Sequence, residues 1–283
     1  MNASGFMYPR VLAWEVTRRC PMKCCHCRAA AADCVFDSEL TTDECKQVID
    51  SLASVETPPM IIWTGGEPMT RFDLPELVRH ATSRGVRSVL APCGMLVTES
   101  RLRELKEAGV MALSLSIDGP DRETHDTFRK VDGAWNSVMA AMAAARAAGL
   151  PFQVNTVVRK GALDSLDAIY ATAMGEGATR LDLFFLVPTG RGASLDGLLL
   201  SDTETDAVIA WAKGKKTKLT CCPRAGTCIG GRGFAFLSHV GHLQPCGFVQ
   251  RPCGNIRDFG LDFPRLVFAA TNPLGVTGDC RTR

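Results

Sequence analysis

Val11-Leu-Ala-Trp14-Glu-Val-Thr-Arg-Arg-Cys20-Pro-Met-Lys-Cys24-Cys-His-Cys27 begins as a short apolar strand and ends on three cysteines spaced C-x3-C-x2-C. Thiolates at that spacing can hold three irons of a [4Fe–4S] cube and leave the fourth iron without a protein ligand. An iron open to a small molecule can do chemistry that a four-cysteine electron carrier cannot. The same spacing admits a zinc site completed by Cys25 or His26, because structural zinc takes four N or S ligands. Position argues against zinc. The triad follows the first strand of an α/β array, and the active sites of parallel barrels lie at the carboxyl ends of their strands.

Working outward, short apolar runs alternate with helix-like segments. Strands are expected at 11–16, 60–63, 86–91, 112–117, 152–158 and 181–187, with helices at 42–54, 75–84, 99–108, 134–148 and 163–174. Thr41 and Thr42 ahead of Asp43 and Glu44 read as a helix start, and Gly85, Gly109 and Gly149 fall where helices should stop. Such alternation implies a parallel sheet with helical crossovers. Six strands before residue 190 predict a partial (β/α)6 TIM-like barrel, although the period alone also admits a doubly wound sheet. The expected organisation is a barrel over 8–192, a connecting segment over 193–220 with one helix at 203–213, and a small Cys-, Gly- and Pro-rich module over 221–283.

The composition, 46% hydrophobic and 22% charged over 283 residues, is that of a globular protein with ample material for a core. A net charge of +2 gives no support for a nucleic-acid or membrane partner. No run approaches the roughly 18–20 apolar residues of a spanning helix. Residues 1–10 do not read as a signal peptide, so the expected location is cytoplasmic. Thirteen cysteines are present, four at 20–27 and five between 221 and 253. Without an export signal, such clusters point to metal ligation rather than disulfides. Cys34 and Cys45 read as small buried hydrophobes.

A second motif, Met60-Ile-Ile-Trp-Thr-Gly65-Gly66-Glu67-Pro68, closes the second strand. Two glycines let the backbone approach a ligand closely, and Glu67 could receive an ammonium group. With the cysteine loop, in this order and on these strands, the chain resembles the radical S-adenosylmethionine (SAM) superfamily. The resemblance implies that Cys20, Cys24 and Cys27 hold the cluster and that the Gly65–Glu67 segment meets the amino group of SAM. It further implies Ser116 and Asp118 near the ribose, Asn155 as a SAM contact, and the backbone of His26 and Val187 beside the adenine.

Cys228 is followed after twelve residues by Gly241 and after four more by Cys246, which resembles the opening of SPASM/twitch modules with auxiliary iron–sulfur clusters. Cys222, Cys228 and Cys246 are its candidate ligands, with Cys253 or Cys280 as the fourth and Cys221 as a rival to Cys222. The fuller pattern does not continue, so a second auxiliary cluster is not expected. Within the superfamily, 13–20, 125–129, 183–192, 228–241 and 244–247 resemble the tetrapyrrole-modifying group, which includes heme synthase (iron-coproporphyrin III decarboxylase), didecarboxysiroheme deacetylase and heme d1 maturase.

The resemblance implies cleavage of SAM to a 5′-deoxyadenosyl radical, conversion of propionates to vinyl groups in heme biosynthesis, and an electron donor such as a flavodoxin or ferredoxin. Arg129, Arg191 and Arg232 are candidates to meet propionates, His239 and His242 could ligate a heme iron, and Cys93 could line the pocket. Two other readings stand beside this one. A SPASM-type peptide maturase is disfavoured by the roughly ten residues ahead of the first strand. A non-catalytic iron–sulfur protein is disfavoured by the intact triad and the Gly-Gly-Glu-Pro motif.

Overall fold

Alternation along the first strand organises the sheet. In β1 (Val11–Thr17) Leu12, Trp14 and Val16 join the main apolar core, while Glu15 and Thr17 project to the opposite face. Trp14 stacks on Trp63 of β2 (Met60–Gly65), ring centroids 5.6 Å apart. The computed structural model describes residues 7–224 and 228–271, so Cys280 lies outside the described residues.

The remaining strands are β3 (Ser88–Leu90), β4 (Val110–Ser116), β5 (Phe152–Val158), β6 (Leu181–Phe185), β7 (Thr217–Thr220), β8 (Phe234–Leu237) and β9 (Leu243–Gln244). They form one sheet in the order β7-β6-β5-β4-β3-β2-β1-β8-β9. Every pairing is parallel except β8 with β9. The expected α/β partial barrel is present.

Helices α1 (Thr42–Ala53), α2 (Leu74–Ser83) and α3 (Glu99–Ala108) connect β1 through β4, and α4 (Arg122–Arg129) and α5 (Ala134–Ala147) lie between β4 and β5. Next come α6 (Leu166–Gly175), α7 (Asp202–Ala212) and α8 (Phe263–Ala269). Buried Cys45, Val48, Ile49 and Leu52 give α1 an apolar stripe at helical spacing. Capping boxes, Thr41 with Glu44 and Ser201 with Glu204, start α1 and α7.

Among strands and α-helices, five elements exceed the sequence expectation: β7, β8, β9, α4 and α8. The 193–220 segment carries α7 and also β7, which pairs with β6 from Leu181↔Thr217 to Phe184↔Thr220. The Cys-rich stretch supplies β8, which pairs with β1 from Val11↔Phe234 to Trp14↔Leu237 at the other side of the sheet. Helix α4 fills what reads in sequence as a loop. No described helix is long and apolar enough to cross a membrane. Because β1 to β6 run parallel, the loops at their carboxyl ends gather along one rim.

Candidate active site

The loop after β1 is closed by Cys20 N, which donates to Ala32 O at 2.9 Å. Two turns shape it: Cys27 N donates to Cys24 O and Ala30 N to Cys27 O, both at 3.2 Å. Cys20, Met22, Ala29, Ala31 and Ala134 form an apolar cluster separate from the main core, and Cys24, Cys27 and Cys93 pack against it. Arg191, beyond β6, clamps the loop. Its Nε donates to Cys24 O at 2.9 Å, its Nη1 to Ala31 O at 2.5 Å, and its backbone N to Cys27 O at 3.0 Å. Gly190 permits this, since at φ +57° a Cβ there would overlap the Arg28 carbonyl.

The two rival ligands are engaged elsewhere. Cys25 Sγ donates to Phe128 O at 2.6 Å, and the His26 ring stacks on Phe128 with centroids 4.7 Å apart. Among the described residues no three His, Cys, Asp or Glu side chains are grouped as for a single metal ion. The donor set fits a cube better than zinc, because each corner iron takes one thiolate and the sulfide faces suit an apolar pocket. Burial pushes the Cys24 thiol up to about 11, with Arg129 pulling it back. Cys93 shares a hydrogen bond with Cys20 and keeps the proton, which favours the Cys20 thiolate; Met22 N adds a bond to Cys20 Sγ at 3.4 Å.

Gly65 and Gly66 seat the second motif against this loop. A Cβ on Gly65 would strike the Thr17 carbonyl oxygen and one on Gly66 those of Arg18 and Arg19. The space the glycines leave is filled by the chain's own backbone: Gly66 N donates to Thr17 O at 2.8 Å and Glu67 N to Arg19 O at 2.7 Å. Glu67 is fully buried, and its carboxylate accepts from Met69 N at 2.8 Å and Cys93 N at 2.5 Å. Burial raises its pKa against these bonds. Each Glu67 carboxylate oxygen thus already accepts one backbone N–H, Oε1 from Met69 and Oε2 from Cys93.

After β4, Asp118 is equally committed. Arg129 donates to its Oδ2 from both Nε and Nη2 at 2.8 Å, and Val157 N donates to its Oδ1 at 2.8 Å. Burial is the largest influence and opposes the charge, but Arg129, His26, His125 and the Val157 amide together outweigh it and hold Asp118 at about 2. His125 Nδ1 accepts from Asp118 N at 3.0 Å. His26 Nε2 lies 3.7 Å from Asp118, and burial lowers the His26 pKa to about 4, so its ring is neutral at pH 7. Ser116 and Asn155 face each other in register across β4 and β5. Asn155 Nδ2 donates to Ser114 Oγ at 2.8 Å, and Gln153 Nε2 donates to Asn155 Oδ1 and to Asp182 Oδ2, both at 3.1 Å. Val187, half-buried, lies in the loop after β6 that leads to Arg191.

The second group of cysteines lies on the crossing from β7 to β8 and just beyond it. Cys222 is buried behind β7. Gly231 N donates to Pro245 O at 3.1 Å, which sets the segment after Cys228 beside Cys246. Cys253 packs at the edge of the main core, where burial pushes its thiol up to about 12.

Of the cations read as propionate partners, Arg129 is buried in its pair with Asp118, Arg191 grips the cluster loop, and Arg232 donates to Cys228 O. His239 Nδ1 donates to Glu15 Oε1 at 2.7 Å. Sequence reading did not single out Glu15. It is wholly buried and also accepts from Arg28 at 3.1 Å and Arg18 at 3.2 Å, tying β1 to the cluster loop and to the turn after β8. A glutamate in an otherwise apolar strand was its only visible signal.

These features have counterparts among known proteins. The AdoMet-dependent heme synthase of Nitratidesulfovibrio vulgaris is 39% identical over 91% of this chain and 78% of its own length. A PqqA peptide cyclase of Rhodopseudomonas palustris is 30% identical over 93% of this chain and 72% of its own. The structure of Streptococcus suis SuiB bound to S-adenosylmethionine superposes with a TM-score of 0.67 at 14% identity, covering 94% of this chain and 67% of SuiB, a likeness of fold. A profile of the radical SAM superfamily matches residues 14–171. Both the [4Fe–4S] cluster and SAM follow from that match, and with the cysteine loop and its Gly-Gly-Glu-Pro seat built as described, this chain belongs to the radical SAM superfamily.

Proposed function

We propose that this radical SAM enzyme acts on a tetrapyrrole in heme biosynthesis, oxidatively decarboxylating the propionates of iron-coproporphyrin III to vinyl groups. Cys20, Cys24 and Cys27 would hold the cluster, and Cys222, Cys228 and Cys246, with Cys253 or Cys280, an auxiliary one. When bound and reduced, the cluster supplies the electron that splits SAM and so generates the hydrogen-abstracting radical.

The chain's own residues prepare the place. The pocket of Met22, Ala29, Ala31 and Ala134 keeps water from the thiolates. Arg191 fixes the loop carrying Cys24 and Cys27, and the buried Asp118–Arg129 pair fixes the floor under His26. Backbone of Gly65, Gly66, Glu67, His26 and Val187, and the side chains of Ser116 and Asn155, would line the SAM site, with Asp118 acting from behind. A cytoplasmic flavodoxin or ferredoxin would donate electrons.

The observation that carries the substrate is the 39% identity to an AdoMet-dependent heme synthase over 91% of the chain, against 30% to a peptide cyclase over a similar span. The test is anaerobic reconstitution, then incubation with SAM, reductant and iron-coproporphyrin III. The expected products are 5′-deoxyadenosine and a porphyrin that has lost CO2 and two hydrogens per reacted propionate. Deoxyadenosine with an unchanged porphyrin would remove the substrate and leave the chemistry.

A further inference from the structure

Beside the site stands a cation that nothing above uses. Arg159 follows β5 directly and shares the parity of Gln153, Asn155 and Val157, whose side chains face away from the main core. Its guanidinium lies over the Phe128 ring, Cζ 4.2 Å from the centroid, and the His26 ring stacks on Phe128 at 4.7 Å. His26 lies between Cys24 and Cys27, so Arg159 is two stacking contacts from the cluster loop. Among the described residues its side chain forms no ion pair or hydrogen bond, and its Nε is buried without a partner. Asp118, the carboxylate below, is already taken by Arg129.

A guanidinium held over an aromatic ring gains cation–π attraction while its N–H groups still need acceptors. The guanidinium's fork of N–H donors matches the two oxygens of a carboxylate. A buried donor with no acceptor is costly, so the arrangement is best explained by an acceptor that arrives with a ligand.

We propose that Arg159, on its Phe128 platform, receives a carboxylate of the substrate at the rim of the barrel and so selects acidic tetrapyrroles. This rests on the tetrapyrrole reading. The carboxylate of SAM is the other possible source of the same chemistry, and the test separates the two.

Binding of metal-free coproporphyrin III, and of its tetramethyl ester, to the reconstituted protein is followed by porphyrin fluorescence, with SAM affinity measured alongside. We expect R159Q to weaken binding of the acid tenfold or more, a loss in keeping with a charge-assisted bidentate pair. The ester should bind R159Q and wild type alike, and SAM affinity should stay within twofold. R159K keeps the charge without the fork and should weaken the acid several-fold; it carries the test if R159Q does not fold. Wild-type affinity for the acid in R159Q would overturn the proposal, and so would a tenfold loss of SAM affinity, which would assign the cation to SAM. Failure of wild type to bind coproporphyrin at all would overturn the tetrapyrrole reading, and this inference with it.

Discussion

Glu15→Gln tests whether the buried carboxylate under the cluster loop holds the structure together. Glu15 has no exposed surface, and burial alone would raise its pKa. The hydrogen bond from His239 and the charges of Arg28 and Arg18 instead hold it at about 2, against an ordinary 4.5. Gln mimics the neutral acid in shape, so its cost approximates the free energy of that shift. At about 1.4 kcal/mol per pKa unit this is roughly 3 kcal/mol. Breaking a buried ion pair on one side typically costs about 3–5 kcal/mol, a consistent range.

In a domain of this size such a loss lowers the melting temperature by roughly 6–12 °C. Because the folded pKa is depressed, the stabilisation is present above the unfolded value near 4.5 and is lost as pH falls toward 2. The deficit of E15Q should therefore be constant from pH 8 to about 5 and shrink below 4.5. Urea and thermal unfolding of the reconstituted protein, followed by circular dichroism, would show it. A midpoint within about 0.5 kcal/mol of wild type at pH 7 would refute the reasoning.

Three further outcomes follow from the same geometry. Asp118→Asn leaves Arg129 buried without its counter-charge and should cost about 3–5 kcal/mol, whereas D118N with R129M should recover part of that loss in a double-mutant cycle read by unfolding midpoints. Gly66→Ala forces a Cβ into the Arg18 and Arg19 carbonyls and should abolish SAM binding measured by equilibrium dialysis; Gly85→Ala, with open space around it, should cost only the roughly 1–2 kcal/mol of its positive φ. Cys25→Ser should retain the iron of wild type after reconstitution, while Cys24→Ser should retain less, because Cys25 faces Phe128 and Cys24 faces the pocket. Equal iron losses in the two would contradict that division.

The parts legible in the sequence were those with local signals. Strand alternation, helix caps at Thr41 and Gly109, and two motifs at strand ends located six βα units and the cluster loop. Helix α4 was missed because it is short and polar, burying only His125, Phe128 and Arg129. Strand β8 has four residues and pairs with β1 more than two hundred positions away, so no local pattern announces it. The roles of charged residues were the least legible. Arg129 looked like a ligand-binding cation and is an internal counter-charge, whereas Arg159 carries no motif and acquires meaning only from the ring beneath it. Glu67 read as an acceptor for an ammonium group, and the sequence could not show that its buried carboxylate also braces two loops through Met69 N and, in a different unit, Cys93 N.

We propose that Cys20, Cys24 and Cys27 hold the cluster that opens SAM. The measurement that meets it most directly is 5′-deoxyadenosine formed by anaerobically reconstituted, reduced protein, wild type against Cys24→Ala. Our account predicts product with wild type and none above background with C24A, even where C24A keeps iron at an auxiliary site. Deoxyadenosine from C24A at the wild-type rate would contradict it.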